Sequence, residues 1–118
     1  MAVADFETAL DKTMQIDLTA TGRVSGQKTS RTVWFVRQGD TLYLLPVSGS
    51  DSQWYKNMLK TPAIRLAANR AEYTATAKPV TDKGTVSQVV DRFSAKYGPG
   101  QIAEYYPDQD VAVEVPLR

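Results

Sequence analysis

Short runs in which apolar and polar residues alternate, each closed by a turn signal, constrain this chain more than any other feature. In the run 14–19, Met14, Ile16 and Leu18 fall on one face of an extended strand and Gln15, Asp17 and Thr19 on the other, because successive side chains of a strand point to opposite sides. A half-buried strand ending at Gly22 is expected. The next apolar run, 31–37, carries the β-formers Val33, Trp34, Phe35 and Val36, and Gly39-Asp40 reads as a hairpin turn into a strand over 41–47. Alternation returns at 63–68 and leads through Asn69-Arg70, a tight turn without the favoured glycine, into a second hairpin arm over 71–80. A last strand, 111–115, is interrupted by Pro116.

Helical spacing is scarcer. Phe6 and Leu10 stand four apart behind Asp5 and Glu7, which predicts a short amphipathic helix over 3–12. Trp54, Met58 and Leu59 predict another over 52–60, closed by Thr61-Pro62, since the residue before proline avoids the helical region. Val86, Val89, Val90 and Phe93 form the stripe of a surface helix within 81–98, ended by Gly98-Pro99. Six strands with two or three short helices in 118 residues give one mainly β (α+β) domain spanning 1–118. A closed or nearly closed antiparallel barrel follows, because closure removes sheet edges.

Composition excludes much chemistry. The chain has no Cys and no His, so a disulfide, a thiolate or imidazole metal site, a Ser-His-Asp triad and a Cys-His dyad are all absent; no metal site is expected. Any redox or group-transfer activity must then reside in a bound cofactor. No apolar stretch approaches the roughly 20 residues that cross a bilayer, and no basic-then-apolar leader opens the chain, so a cytoplasmic address without an integral membrane segment is expected. The net charge of +1 is unlike that of a nucleic-acid reader, and no nucleic-acid partner is expected. Charge is nevertheless uneven. No acidic residue lies between Asp17 and Asp40, while Arg23, Lys28, Arg31 and Arg37 all do.

Two loops bear on function, each with an ordinary reading beside it. In the loop 19–32, Gly22 and Gly26 let backbone approach a ligand while Arg23, Lys28 and Arg31 offer partners for phosphate or carboxylate; equally, the segment is a turn with solvated cations. In 44–57, Ser48, Gly49 and Ser50 precede a helix start, where unpaired N–H groups favour anions, and Trp54 or Tyr55 offers a flat surface; alternatively Ser50 or Asp51 caps the helix and Trp54 fills core. Near the end, Tyr97, Tyr105 and Tyr106 supply hydroxyls, of which Tyr105 or Tyr106 is the candidate proton donor to a reduced substrate, with half-buried filler as the plain alternative.

Taken in order, Thr21-Gly22-Arg23-Val24-Ser25-Gly26, the aromatic hairpin with Gly39-Asp40 at its tip, the Ser48-Gly49-Ser50 loop, and Trp54-Tyr55 with Asn57 and Pro62 resemble the deazaflavin-dependent nitroreductase family. That family lies within the pyridoxamine-phosphate-oxidase-like split-barrel group. The resemblance implies a six-stranded split β-barrel that binds coenzyme F-420 through an acidic tail and delivers hydride to a small quinone, nitroaromatic or enone acceptor. By position, it implies that Thr21, Gly22, Arg23, Ser25, Gly26, Ser48, Gly49 and Ser50 lie near the cofactor and that Trp54 and Tyr55 flank its pocket. Where the family has Pro then Arg, this chain has Lys28 then Thr29, so Lys28 or Arg31 becomes the stand-in anchor; where nitroreductases carry Lys, Gly49 stands. FMN in place of F-420, a haem-degrading role, or a noncatalytic ligand-binding or interaction barrel are the alternatives, and a homodimer is expected by analogy with the group.

Overall fold

A computed structural model describes residues 3–117. The elements run α1 (Val3–Leu10), β1 (Ile16–Thr21), β2 (Lys28–Val33), β3 (Phe35–Gln38), β4 (Thr41–Leu44), α2 (Gln53–Lys60), β5 (Ala63–Ala68), β6 (Ala71–Thr76), β7 (Lys78–Val80), α3 (Lys83–Tyr97), α4 (Pro99–Tyr105) and β8 (Ala112–Pro116), with one turn of 3-10 helix at Gly49–Asp51 ahead of α2. They build two four-stranded antiparallel sheets, ordered β2-β1-β5-β6 and β3-β4-β8-β7.

The expected six strands are eight because two runs each break at one residue. Trp34 separates β2 from β3, Ala77 separates β6 from β7, and at each break the chain passes from one sheet to the other. A strand that serves two sheets must bend at the corner. Hydrogen-bonded pairing among the described residues stays within each sheet, so of the closed or nearly closed barrel expected from the sequence the structure shows two sheets joined at those corners. The stretch expected as a link up to Thr32 is extended from Lys28 onward, in register with β1 from Ile16↔Val33 to Thr21↔Lys28. Its β-branched threonines suit that state.

Helix α4 was not expected. Gly98-Pro99 ends α3 and also starts a new helix, with Pro99 in the first turn, where its missing N–H costs nothing. The glycine-free turn after β5 is made by Asn69 at φ 55, one of the few side chains that tolerate the left-handed region.

Alternation sorts the core. Leu18, Leu42, Leu44, Ile64, Leu66, Val113 and Val115 point between the sheets, together with Phe6, Phe35, Trp54 and Met58. From the opposite face of the second sheet, Val36, Leu45 and Ala112 meet Val86, Val89, Phe93, Tyr97, Ile102 and Tyr106 of α3, α4 and the residue after α4. The second sheet is therefore covered on both sides. Burying a side chain such as Phe93 or Leu42 stabilises by about 1.5–3 kcal/mol. Helix α1 packs on β5 and β6, with Phe6 stacked on Tyr73 at 5.4 Å.

Candidate functional site

The corner at Trp34 shapes the site. Its indole stacks on Tyr97 at 4.2 Å with the planes 6° apart, Tyr105 meets it edge-on at 5.5 Å, and Tyr106 lies tilted at 6.2 Å. Tyr97 is fixed in turn by its hydroxyl, which accepts the Phe35 N–H (3.1 Å) and lies within donor distance of the Met14 (2.7 Å) and Phe35 (2.9 Å) carbonyls. One phenol thus ties α3 to β3 and to the segment before β1. Beside this stack opens a cleft of about 240 Å³, with Arg31, Thr32, Trp34, Trp54, Tyr105 and Tyr106 around it and Leu45 and Val47 completing its apolar wall.

Arg31 is out of pattern there. It pairs with Leu18 across β1, and residues directly opposite in an antiparallel pair share a face. Leu18 is wholly buried, so Arg31 lies on the core-facing side of β2, at the open edge of the sheet, where alternation would place an apolar residue. It is exposed and makes no ion pair among the described residues. Lys28 pairs with Thr21 and so lies on the opposite face.

The other expected site residues divide into two groups outside the cleft. Thr21 to Gly26 close a turn on themselves: Gly22 N–H donates to Gln27 O (2.7 Å), Gly26 N–H to Gly22 O (3.0 Å), and Gln27 N–H to Ser25 Oγ (3.2 Å). Arg23 clasps that turn to α2. Its backbone N–H and its Nη1 both donate to Asn57 Oδ1 (3.1 and 2.8 Å), its Nη2 donates to Gln53 Oε1 (2.8 Å), and Lys60 Nζ donates to its carbonyl (2.8 Å).

The Ser48-Gly49-Ser50 loop already holds an anion, one belonging to the chain. Ser50 N–H donates to Asp110 Oδ1 (3.0 Å) and Ser50 Oγ to Asp110 Oδ2 (2.6 Å), which holds the Asp110 carboxyl below its usual range. Gly49, at φ 56, is obligatory, because a Cβ there would run into Asp110 and lie 2.9 Å from Asp108 O. Neither Ser50 nor Asp51 caps α2. Its N-cap is Ser52, whose Oγ instead accepts Ser48 N–H at 2.9 Å. Tyr55 is buried, and burial, followed by the Asp110 charge, raises its pKa.

Of the two candidate donors, Tyr106 is buried and pushed up to about 12, mainly by burial, with Tyr97 adding and the Trp34 backbone opposing. It stays protonated at neutral pH. Tyr105 is half exposed and stands at the rim. Thr32, Trp34 and Val47 were not foreseen as site residues; the one available signal was four consecutive apolar residues, Val33 to Val36, which no alternating strand can bury on one face.

The two corner-joined sheets, with helices over one of them and an aromatic cleft at the corner, define a split-barrel-like α+β protein. Solved structures share this fold. The F420-H2 dependent reductase FDR-A matches with a TM-score of 0.67 and 17% identity over 86% of this chain and 93% of that one. The haem storage protein HutZ from Vibrio cholerae matches at 0.71 and 14% over 98% and 90%. A candidate pyridoxamine 5'-phosphate oxidase from Listeria innocua matches at 0.68 and 13% over 96% and 90%. No curated protein matches by sequence. The chain belongs to the bacterial family described as "Uncharacterized protein conserved in bacteria (DUF2255)", whose profile matches residues 8–114.

Proposed function

We propose that this protein is an oxidoreductase that binds reduced coenzyme F-420 in the Trp34 cleft and passes hydride to a small quinone, nitroaromatic or enone. The observation that carries the reading is Arg31, a cation without an ion-pair partner among the described residues, on the apolar side of β2 beside a cleft walled by Trp34, Trp54, Tyr105 and Tyr106. The fold shared with an F420-H2 dependent reductase supports it. The cleft's 240 Å³ is below the volume that encloses a whole drug-sized ligand, so it suits a planar ring with the polar tail left outside.

When bound, the coenzyme would supply the hydride, which no protein side chain provides. The chain's residues bind and orient. Trp34, braced from behind by Tyr97, is a fixed wall for a flat ring. Arg31 pairs with the anionic tail. Asp110 already occupies the Ser50 amide and would repel an anion there, which leaves Arg31 as the cation on the cleft side of β2 to hold the tail. At the rim, Tyr105 donates a hydrogen bond to the acceptor oxygen as charge develops on it. Pairing of two copies belongs to the same reading, since β2 is an edge strand exposed over Lys28 to Thr32.

The test is oxygen-free oxidation of reduced F-420 with menadione or a nitroaromatic acceptor. Turnover above the protein-free rate is expected, and its absence despite tight coenzyme binding would leave a carrier rather than a reductase. FMN is the second reading, favoured by the likeness to the Listeria innocua protein. A yellow purified protein with F-420 unable to compete would select it.

A further inference from the structure

A second and larger cleft, of about 480 Å³, opens where the turn after α1 meets β3 and the last turns of α3. Lys96 lies at it. Its Nζ donates to Phe35 O (2.8 Å) and sits 3.5 Å from the centre of the Phe35 ring. That leaves at least one of the ammonium's three donors unused. The side chain is half-buried, and no carboxylate comes within ion-pair distance among the described residues. A charge withdrawn from water without a counter-ion is costly.

The surroundings do not supply that counter-ion. Arg92, one turn earlier on the same face of α3, also borders the cleft without an ion pair among the described residues. Arg37 on β3 is held by Glu7, and Asp11, the acid at the rim, lies 3.8 Å from Arg37. Two cations are thus left facing one space. Met14, 54% exposed, gives that space an apolar side, with Leu10 and Phe35 buried behind it.

We propose that this cleft is a separate binding site for a small carboxylate or phosphate monoester with an apolar body, its anionic head between Lys96 Nζ and the Arg92 guanidinium and its body against Met14. Burial lowers the Lys96 pKa to about 8, so the ammonium loses its charge just above neutrality. The other charged or titratable groups around it are Asp11, Arg37 and Arg92, and Tyr97, pushed up to about 12 by burial. The site does not depend on the coenzyme reading, and none of its probes is a deazaflavin.

The experiment is an amide-resolved NMR titration of the whole chain with hexanoate, phenyl phosphate and inorganic phosphate as separate arms. Saturable shifts at Phe35, Arg92 and Lys96 are expected with hexanoate or phenyl phosphate, at a dissociation constant of about 1 mM, and weaker ones with inorganic phosphate, which lacks the apolar body. Which of the first two binds more tightly separates carboxylate from phosphate recognition. Lys96→Met keeps the stem and removes the charge, and should abolish the shifts. Arg92→Gln, at an exposed position, should weaken binding about twofold and serves alone if Lys96→Met does not fold. Affinity should also fall by up to about tenfold per pH unit above 8. Linear, unsaturable shifts in all three arms, or affinity unchanged in both variants, would overturn the proposal.

Discussion

Arg23→Ala separates two roles that the sequence alone leaves merged. A cofactor anchor would lose ligand affinity and little stability. In the structure the guanidinium is spent on α2, with Nη1 on Asn57 Oδ1 and Nη2 on Gln53 Oε1, both at 2.8 Å. A hydrogen bond from a charged group contributes about 1.5–3 kcal/mol when shielded. Only the Asn57 contact is partly buried, and Asn57 Oδ1 keeps the Arg23 backbone N–H at 3.1 Å after truncation, so no acceptor is orphaned. The Gln53 contact is exposed and contributes a few tenths at most. The sum is about 1.5 kcal/mol. With a urea slope of about 1–3 kcal/mol/M, the unfolding midpoint should drop by about 0.5–1.5 M. The assay is equilibrium urea unfolding followed by tryptophan fluorescence, with coenzyme titration run on the same sample. An unchanged midpoint together with a tenfold or greater loss of coenzyme affinity would refute the reasoning, and Arg23 would return to the binding site.

Other consequences are as direct. Gly49→Ala should cost about 3 kcal/mol, from a left-handed backbone, a displaced Asp110 and the close Asp108 carbonyl; in an Asp110→Ala background the cost should shrink by about 1 kcal/mol, the left-handed penalty and the Asp108 clash remaining, which a double-mutant cycle measures. Arg31→Gln should leave stability within about 0.5 kcal/mol of wild type, read from urea unfolding, but weaken F-420 binding by about 0.5–1 kcal/mol and flatten its salt dependence. Stability should rise from about pH 8 to 10. In that window the unfolded chain keeps the Lys96 proton, ordinary value 10.5, that the fold has released near 8. Above about pH 10 the slope reverses, since Tyr97 and Tyr106 ionise near 12 in the fold but near 10.0 when exposed. Lys96→Met should abolish the rise, as read by thermal unfolding across pH.

Elements with a strong period are legible in the residues themselves. Strand β1 reads directly from Ile16 and Leu18, β5 from Ile64 and Leu66, and α3 from its valine stripe. Features set by tertiary geometry are not. The corners at Trp34 and Ala77 arise because one strand must serve two sheets, which no local pattern encodes. Helix α4 was hidden because Gly98-Pro99 is a stop signal for one helix and a start for the next.

For the site, Arg31, Trp54, Tyr105 and Tyr106 were singled out from residue type and do converge on one cleft. The glycine- and serine-rich segments do not line it, because flexible loops attract both ligands and internal partners, and here Asn57 and Asp110 take Arg23 and Ser50. Trp34 was missed as a wall since its exposure depends on the bend.

The most direct measurement is a fluorescence titration of F-420 and FMN, side by side under oxygen-free conditions, into wild type and Trp34→Leu. Saturable quenching of the cofactor's own fluorescence for one of the two at micromolar protein, lost or strongly weakened in Trp34→Leu, is the predicted result. Binding of neither by a folded wild-type protein, or equal binding by both proteins, would contradict the claim that the corner cleft holds a planar redox cofactor.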